Sequence, residues 1–312
     1  MLDTITESGL TSHLSTRSNL VECGIKHAVT ESNSSHLMQG GLRARGYSKL
    51  SNKDRPLVTV VTVVLNSSET IEETIRSVLY QTYDNVEYIL IDGGSDDGTR
   101  EIIRAYEDFI DYWVSEPDGG IYNAMNKGIS LANGQYINFL NADDHYLHSS
   151  VLEKVVGLFR SSNSQIIVGD ALMLSKRSGY GYIRHCDVNK YYYLFRGMPQ
   201  QVYFYDTRLF ESGTFDASFS IAADLDFYLS KLLGGKVKIT SINWPVIVFN
   251  TGAASSNQEL LSKERDVIVK KHYIWLERLI FRNRLFRSFF VRNELRAGRP
   301  GIVDRIVRKY LS

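Results

Sequence analysis

Apolar residues run along this chain in two alternating rhythms. Residues 57–65, LVTVVTVVL, form an unbroken β-branched run, as in a strand covered on both faces. Residues 68–82, SETIEETIRSVLYQT, then place apolar side chains at helical spacing. The change of rhythm repeats through VEYILID (86–92), TREIIRAYEDF (99–109), DYWVSE (111–116), GIYNAMNKGISLA (120–132) and QYINFL (135–140). Strands alternating with helices of this length make a parallel sheet with right-handed connections, so the pattern predicts an α/β fold. Beyond Asp144 the alternation loosens. VLEKVVGLFR reads as a helix, SQIIVGDALML and SGYGYIRH as strands, YYYLFRGMPQQVYFY as irregular, and SIAADLDFYLSKLLGG as a helix ended by paired glycines. Residues 1–55 carry Ser, Thr, Asn and Gly without sustained periodicity, which predicts a mobile or loosely helical extension before a fold that starts at Pro56.

Composition narrows the class. With 312 residues, 43% of them hydrophobic and 12% aromatic, the chain has ample material for a packed core. No stretch approaches the roughly 20 consecutive apolar residues of a membrane span, and the N-terminus has neither a basic start nor an apolar block. These features predict a soluble, cytoplasmic protein. Cys23 and Cys186 stand in no metal-type spacing and read as reduced thiols. The net charge of +1 hides an asymmetry: from Lys263 onward there are 14 Lys and Arg against 5 Asp and Glu, so the last 50 residues hold +9 and the first 262 hold −8. Between Tyr273 and Ile306 the tail mixes Trp, Phe, Leu and Ile with Arg. Two readings stand: a helix closing the core with a solvated basic face, or a surface helix on anionic lipid at the inner face of the plasma membrane. The run is too apolar for an electrostatic track, so nucleic acid is not an expected partner.

Candidate chemistry gathers after the strands, where open parallel sheets bind ligands. The first strand ends at Asn66, the second at DGGSDDGT, the third at SEPDGG and the fourth at NADD. Each alone reads as a turn. LNSSE after the first strand lacks the glycines of a dinucleotide fingerprint, and no phosphate-binding P-loop is present. A site in which a metal ion neutralises phosphates remains, with the adjacent Asp143 and Asp144 as hard oxygen ligands for Mg²⁺ or Mn²⁺.

The run VTVVTVVLNSSETIEETIRSVLYQTYDNVEYILIDGGSDDGTREII, followed by SEPDGGIYNAMNKGISLANGQYINFLNADD and SIAADLDFYLSKL, resembles family 2 inverting glycosyltransferases with the nucleotide-diphospho-sugar transferase (GT-A) fold. Among these it looks most like bacterial enzymes that assemble exopolysaccharides such as colanic acid. The resemblance covers roughly residues 56–275. It implies a mostly parallel central sheet flanked by helices, with residues 56–257 as the catalytic domain and 258–312 as a basic amphipathic helical tail. It further implies that Asn66, Asp92 and Gly93 lie at the donor's nucleoside, with Asp92 accepting from the base. Asn126 and Lys127 fall near its diphosphate or sugar, and NADD is the metal motif. Asp143 is the first metal ligand. Asp144 ligates, acts through water or holds sugar hydroxyls. Gln201 lines the acceptor cleft, and NTGAASS (250–256) is either a lid or a loop.

The resemblance makes Asp224 the catalytic base that takes the proton of an attacking acceptor hydroxyl. Asp226, two positions on, is turned by about 200° on a helix and cannot face the same acceptor. Apolar neighbours in SIAADLDF suit Asp224 to base work by raising its pKa. The implied partners are a nucleotide-sugar donor and a saccharide or lipid-linked oligosaccharide acceptor, in bacterial surface polysaccharide synthesis, with a divalent metal as cofactor. Four positions depart from the family pattern: Leu65, Asn123, Asn141 and Gln200. They leave one alternative, a catalytically inactive scaffold or nucleotide-sugar-binding protein.

Overall fold

The computed structural model describes residues 20–22, 37–175, 180–186, 199–235, 237–251 and 258–273. Its first half realises the predicted alternation: β4 (Val58–Val64), α1 (Ile71–Leu79), β5 (Val86–Asp92), α2 (Thr99–Ala105), β6 (Tyr112–Ser115), α3 (Ile121–Leu131) and β7 (Tyr136–Phe139). All seven residues of β4 and of β5 are buried, as their unbroken apolar runs require. Each buried Val, Leu or Ile contributes about 1.5–3 kcal/mol. Helix α1 buries Ile71, Thr74, Ile75 and Val78, one stripe at helical period. Helix α3 lies so close on β4 that a Cβ at Gly128 would stand 2.4 Å from Val61 Cγ1.

Strands β6, β5, β4 and β7 run parallel and form the centre of a ten-stranded sheet. The second half adds β8 (His145–Tyr146), α4 (Val151–Ser162), β9 (Ile166–Ser175), β10 (Gly181–Arg184), β11 (Tyr203–Asp206), α5 (Ala223–Leu233), β12 (Ile239–Thr251) and α6 (Gln258–His272). Here the sheet is mixed. Strand β11 runs antiparallel between β7 and β9, β12 parallel to β9, β8 antiparallel to β12, and β10 antiparallel on β9. Chain order reverses at β4, which has β5 on one side and β7 on the other. Such a switch point opens a crevice beyond the carboxyl ends of its strands.

Contacts of the fold reach past both expected boundaries. Residues 1–55 do not act only as an extension: β2 (Met38–Gly40) adds to the sheet edge against β6, while β1 (Leu20–Glu22) and β3 (Tyr47–Lys49) pair with each other. Lys49 Nζ meets Asp111 Oδ2 at 2.8 Å in the interior, and Arg43 pairs with buried Glu87. Contacts also extend past 257. Glu264 on α6 accepts the N–H groups of Ser220 and Ile221 at 2.7 and 3.1 Å, just before α5. Lys271 and His272 hold Asp226 at 2.8 and 2.7 Å. Helix α6 is therefore packed onto α5 as part of the fold. The more basic run from 274, Cys23 and most of NTGAASS lie outside the described residues. Among the described residues no helix is long and apolar enough to cross a membrane.

Candidate active site

The end of β4 and the end of β5 are stitched together by their own polar residues. Asn66 takes a left-handed φ of 49°, donates its N–H to Ser95 Oγ at 2.7 Å and accepts the Asp96 N–H on its side-chain oxygen at 3.0 Å. Asp92 is 1% exposed. Its carboxylate accepts from the Ser95 N–H, the Ser95 hydroxyl and the Ser115 hydroxyl. The carboxylate thereby joins the loop after β5 to the end of β6, where the donor's base is expected. Gly93 beside it is half-buried, and a Cβ there would stand 3.0 Å from Asp118 Oδ2 and 3.5 Å from Leu65 Cδ1. Asp118, which reads as a turn former in the sequence, does turn the chain, accepting the Gly120 N–H at 2.8 Å. Its other oxygen nevertheless borders the crevice at Gly93.

The two adjacent carboxylates after β7 go separate ways. The Asp144 N–H closes a turn onto Asn141 O at 3.1 Å. Asp144 is buried, with Oδ2 accepting from Gln201 Nε2 at 2.5 Å and Oδ1 from the Asn250 N–H at 3.0 Å. These bonds tie the turn after β7 to β12 and to Gln201, which is 2% exposed, beside the expected metal ligand Asp143. Asp143 is half-buried at the same turn. Asn141 Oδ1 is buried with no hydrogen-bond partner among the described residues.

A buried amide oxygen without a donor, two residues from a carboxylate, is a hard oxygen pair that suits Mg²⁺ or Mn²⁺. Among the described residues no three Asp, Glu, His or Cys side chains gather into a cage. The donor set thus fits an ion that completes its shell with phosphate oxygens and water, as Mg²⁺ commonly does, and not one enclosed by protein alone.

Asn126 and Lys127 are divided in the same way. The Asn126 amide donates to Phe215 O at 2.8 Å and accepts the Phe215 N–H at 3.0 Å, so it clips α3 to the loop before α5. Lys127 Nζ meets Glu116 Oε1 at 2.5 Å, with 28% of its side chain exposed. It keeps a cation at the loop that follows β6.

Asp224 stands in the first turn of α5. Burial pushes its carboxyl up from the ordinary 3.8 to about 6, against hydrogen bonds from Tyr122 and main-chain N–H groups that favour the charged form. Tyr122 Oη donates to Asp224 Oδ1 at 2.8 Å. Behind it lie Phe210, Phe215, Phe227 and Tyr205, packed ring on ring at centroid distances of 4.6–5.9 Å. Asp226 is different. Although burial acts to raise it, bonds from His272 and Lys271 hold its carboxyl below the ordinary range. The two aspartates face different neighbours, as their helical offset requires.

Contacts tie Asp224 to the crevice edge. Tyr122 opens α3 directly after the Asp118 loop, and Phe215 bridges Tyr122 to Phe139 on β7 at 5.7 and 5.3 Å. Tyr122 is the site residue that sequence reading missed. Its partner is 102 positions away, and nothing in GIYNAMNKG marks the tyrosine over its neighbours.

Comparison with known proteins places the fold in a family. The sequence profile described as "Glycosyl transferase family 2" matches residues 59–218. An uncharacterized glycosyltransferase of Mycobacterium tuberculosis is 30% identical over 209 residues, 65% of this chain and 79% of its own length. A PGL/p-HBAD biosynthesis glycosyltransferase of Mycobacterium bovis is 28% identical over 55% of this chain and 68% of its own length. Among solved structures, S. aureus TarS 1–349 in complex with UDP-GlcNAc superposes with a TM-score of 0.58 at 15% identity, covering 73% of this chain and 74% of TarS 1–349. The mannosyltransferase PcManGT of Pyrobaculum calidifontis, in complex with GDP-Man and Mn²⁺, gives a TM-score of 0.50 at 19% identity over 72% and 63% of the two chains. The fold shared with these glycosyltransferases is GT-A.

Proposed function

The chain belongs to glycosyl transferase family 2, and on that premise we propose that it moves a sugar from a nucleotide-diphosphate donor to an acceptor hydroxyl with inversion at the anomeric carbon. The observation that carries this reading is Asp224: a carboxyl raised to about 6, at the crevice edge, held by a neutral phenol. A base with a pKa near working pH is ionised often enough to accept a proton and basic enough to draw it off.

In the proposed reaction the donor lies over the ends of β4, β5 and β7, with Gly93 allowing close approach. Lys127 supplies positive charge near the diphosphate, balanced at rest by Glu116. The acceptor hydroxyl approaches the anomeric carbon from the face opposite the diphosphate. Its proton passes to Asp224 as the new C–O bond forms and the bond from the anomeric carbon to the diphosphate breaks, the electron pair leaving on the diphosphate oxygen. The chain forms no covalent intermediate. Asp143, with Asn141 Oδ1, would hold Mg²⁺ or Mn²⁺, which when bound supplies Lewis-acid neutralisation of the leaving diphosphate. Asn66, Asp92 and Asp144 act indirectly, by fixing the loops that carry these groups.

The acceptor we propose is a saccharide or lipid-linked oligosaccharide of bacterial surface polysaccharide synthesis, reached at the inner face of the plasma membrane with help from the basic tail. The UDP-GlcNAc and GDP-Man complexes of the structural neighbours make UDP- and GDP-sugars the first donors to try. Purified protein with Mn²⁺ and UDP-, GDP- and dTDP-sugars should release nucleotide with one of them in the presence of acceptor. Proton NMR of the product should show the anomeric configuration inverted; a retained configuration would overturn the mechanism.

A further inference from the structure

We infer that Tyr122 is the positioning residue of the proposed base: its hydroxyl holds one oxygen of Asp224 and leaves the other to receive the acceptor's proton. The inference rests on the proposed role of Asp224. Tyr122 Oη reaches Asp224 Oδ1 at 2.8 Å, and the tyrosine is 6% exposed. Its ring packs on Phe215 at 5.7 Å, a contact that phenylalanine would make equally well. The hydroxyl is thus not explained by packing. A buried O–H carries a desolvation cost that only its hydrogen bond offsets.

The direction of that bond is fixed. Burial, and then the charge of Asp224, push the Tyr122 phenol well above its ordinary range, so it stays protonated and donates at any working pH. Asp224 Oδ1 is therefore an acceptor in every state, and a proton arriving from a sugar hydroxyl goes to the second oxygen. A lysine or arginine at this place would fix the carboxylate too, but its full charge would pull the pKa down and weaken the base. A phenol orients with only a partial opposing effect.

The other groups facing Asp224 do not replace it. From β11, Tyr205 feels the Asp224 charge, and its hydroxyl has no hydrogen-bond partner among the described residues. From α6, Arg265 contributes a weaker stabilising field than the Tyr122 bond. From α5 itself come the N–H groups of Leu225 and Asp224. Among these, Tyr122 alone stands next to the donor-side loop, in the first turn of α3. It follows Gly119 and Gly120, the latter at a φ of 118°, after Asp118, whose Oδ2 borders Gly93. The loop that meets the donor thereby also aims the base.

The test is the pH profile of kcat/KM for Tyr122→Phe beside wild type. Losing a hydrogen bond to the charged form should move the acid limb up by about one pH unit. Activity at pH 6 should then fall about fivefold and recover most of the way by pH 9, with donor affinity by calorimetry within about twofold of wild type. A second probe keeps ring and hydroxyl: 3-fluorotyrosine at position 122, a stronger donor, should move the acid limb down. If both profiles overlay wild type while Asp224→Asn abolishes turnover, the inference fails and the base assignment stands. If Asp224→Asn turns over normally, the base assignment itself fails and takes the inference with it.

Discussion

Gln201 donates to Asp144 across 57 positions of sequence, Nε2 to Oδ2 at 2.5 Å, inside the protein. This contact shows why two like charges stand side by side after β7. One carboxylate is drawn inward and held by hydrogen bonds, and the other stays at the turn. Gln201→Leu should cost about 1–3 kcal/mol of stability, because a buried carboxylate loses a side-chain donor. A double-mutant cycle with Asp144→Asn, followed by chemical denaturation, should give a coupling of about 1 kcal/mol or more. Purely additive losses would contradict the pairing.

Asn141 stands beside Asp143 with a buried, unpartnered amide oxygen. Replacing it by aspartate adds a negative charge to the same oxygen position. Asn141→Asp should strengthen Mn²⁺ binding in the presence of nucleotide diphosphate by roughly tenfold, since affinity for hard cations follows ligand charge. Paramagnetic relaxation of water protons by Mn²⁺ would read it, and Asp143→Ala should lower affinity in the same assay. Unchanged binding in both variants would remove this turn from the metal site.

Gly128 allows α3 to rest on β4, and a methyl group there would meet Val61 Cγ1 at 2.4 Å. Valine is stiff at χ1 and has little room to yield. Gly128→Ala should destabilise by about 1–3 kcal/mol in thermal or chemical denaturation, despite the better helix propensity of alanine. Adding Val61→Ala should restore part of the loss. A neutral or stabilising Gly128→Ala would show that the helix stands farther from the sheet.

The raised carboxyl of Asp224 makes a stability prediction with a definite sign. As pH rises from the ordinary 3.8 toward about 6, the unfolded chain ionises this group before the folded one does. Stability therefore declines through that window and stays lower above it. Asp224→Asn keeps an oxygen for Tyr122 but removes the half-buried charge. It should stabilise the protein by about 1–3 kcal/mol at pH 8 and by little near pH 4. Urea denaturation at the two pH values checks this, and a loss of stability at both would contradict the burial of a charge there.

The alternation from β4 to β7 is legible in the sequence because it is local. A β-branched run such as Val58–Val64 and a stripe such as Ile71, Ile75 and Val78 each state their own periodicity. The offset of Asp224 and Asp226 is legible for the same reason. What the sequence hides depends on partners far along the chain. Asp143 and Asp144 look alike until Gln201 and Asn250 arrive from other elements to claim one of them. Asn126 reads as a ligand residue, and the sequence does not show that Phe215 bonds its amide in both directions. Asp92 reads as a base contact, and the sequence does not show that Ser95 and Ser115 bond its carboxylate. The β2 strand has three residues, too few to show a period, and its identity comes from the open edge of β6. Polar residues after strands thus mark where the site is, and tertiary contacts decide which of them remain available.

The central claim is that Asp224 removes the acceptor's proton during sugar transfer. The measurement is turnover of the best nucleotide-sugar donor by wild type and by Asp224→Asn at pH 8, with donor binding followed in parallel by calorimetry. The expected result is that kcat falls by about 10²–10⁴ while donor affinity stays within about twofold, because a general base acts on the chemical step and not on the donor. Turnover at the wild-type rate in Asp224→Asn, with the same donor bound, would contradict it.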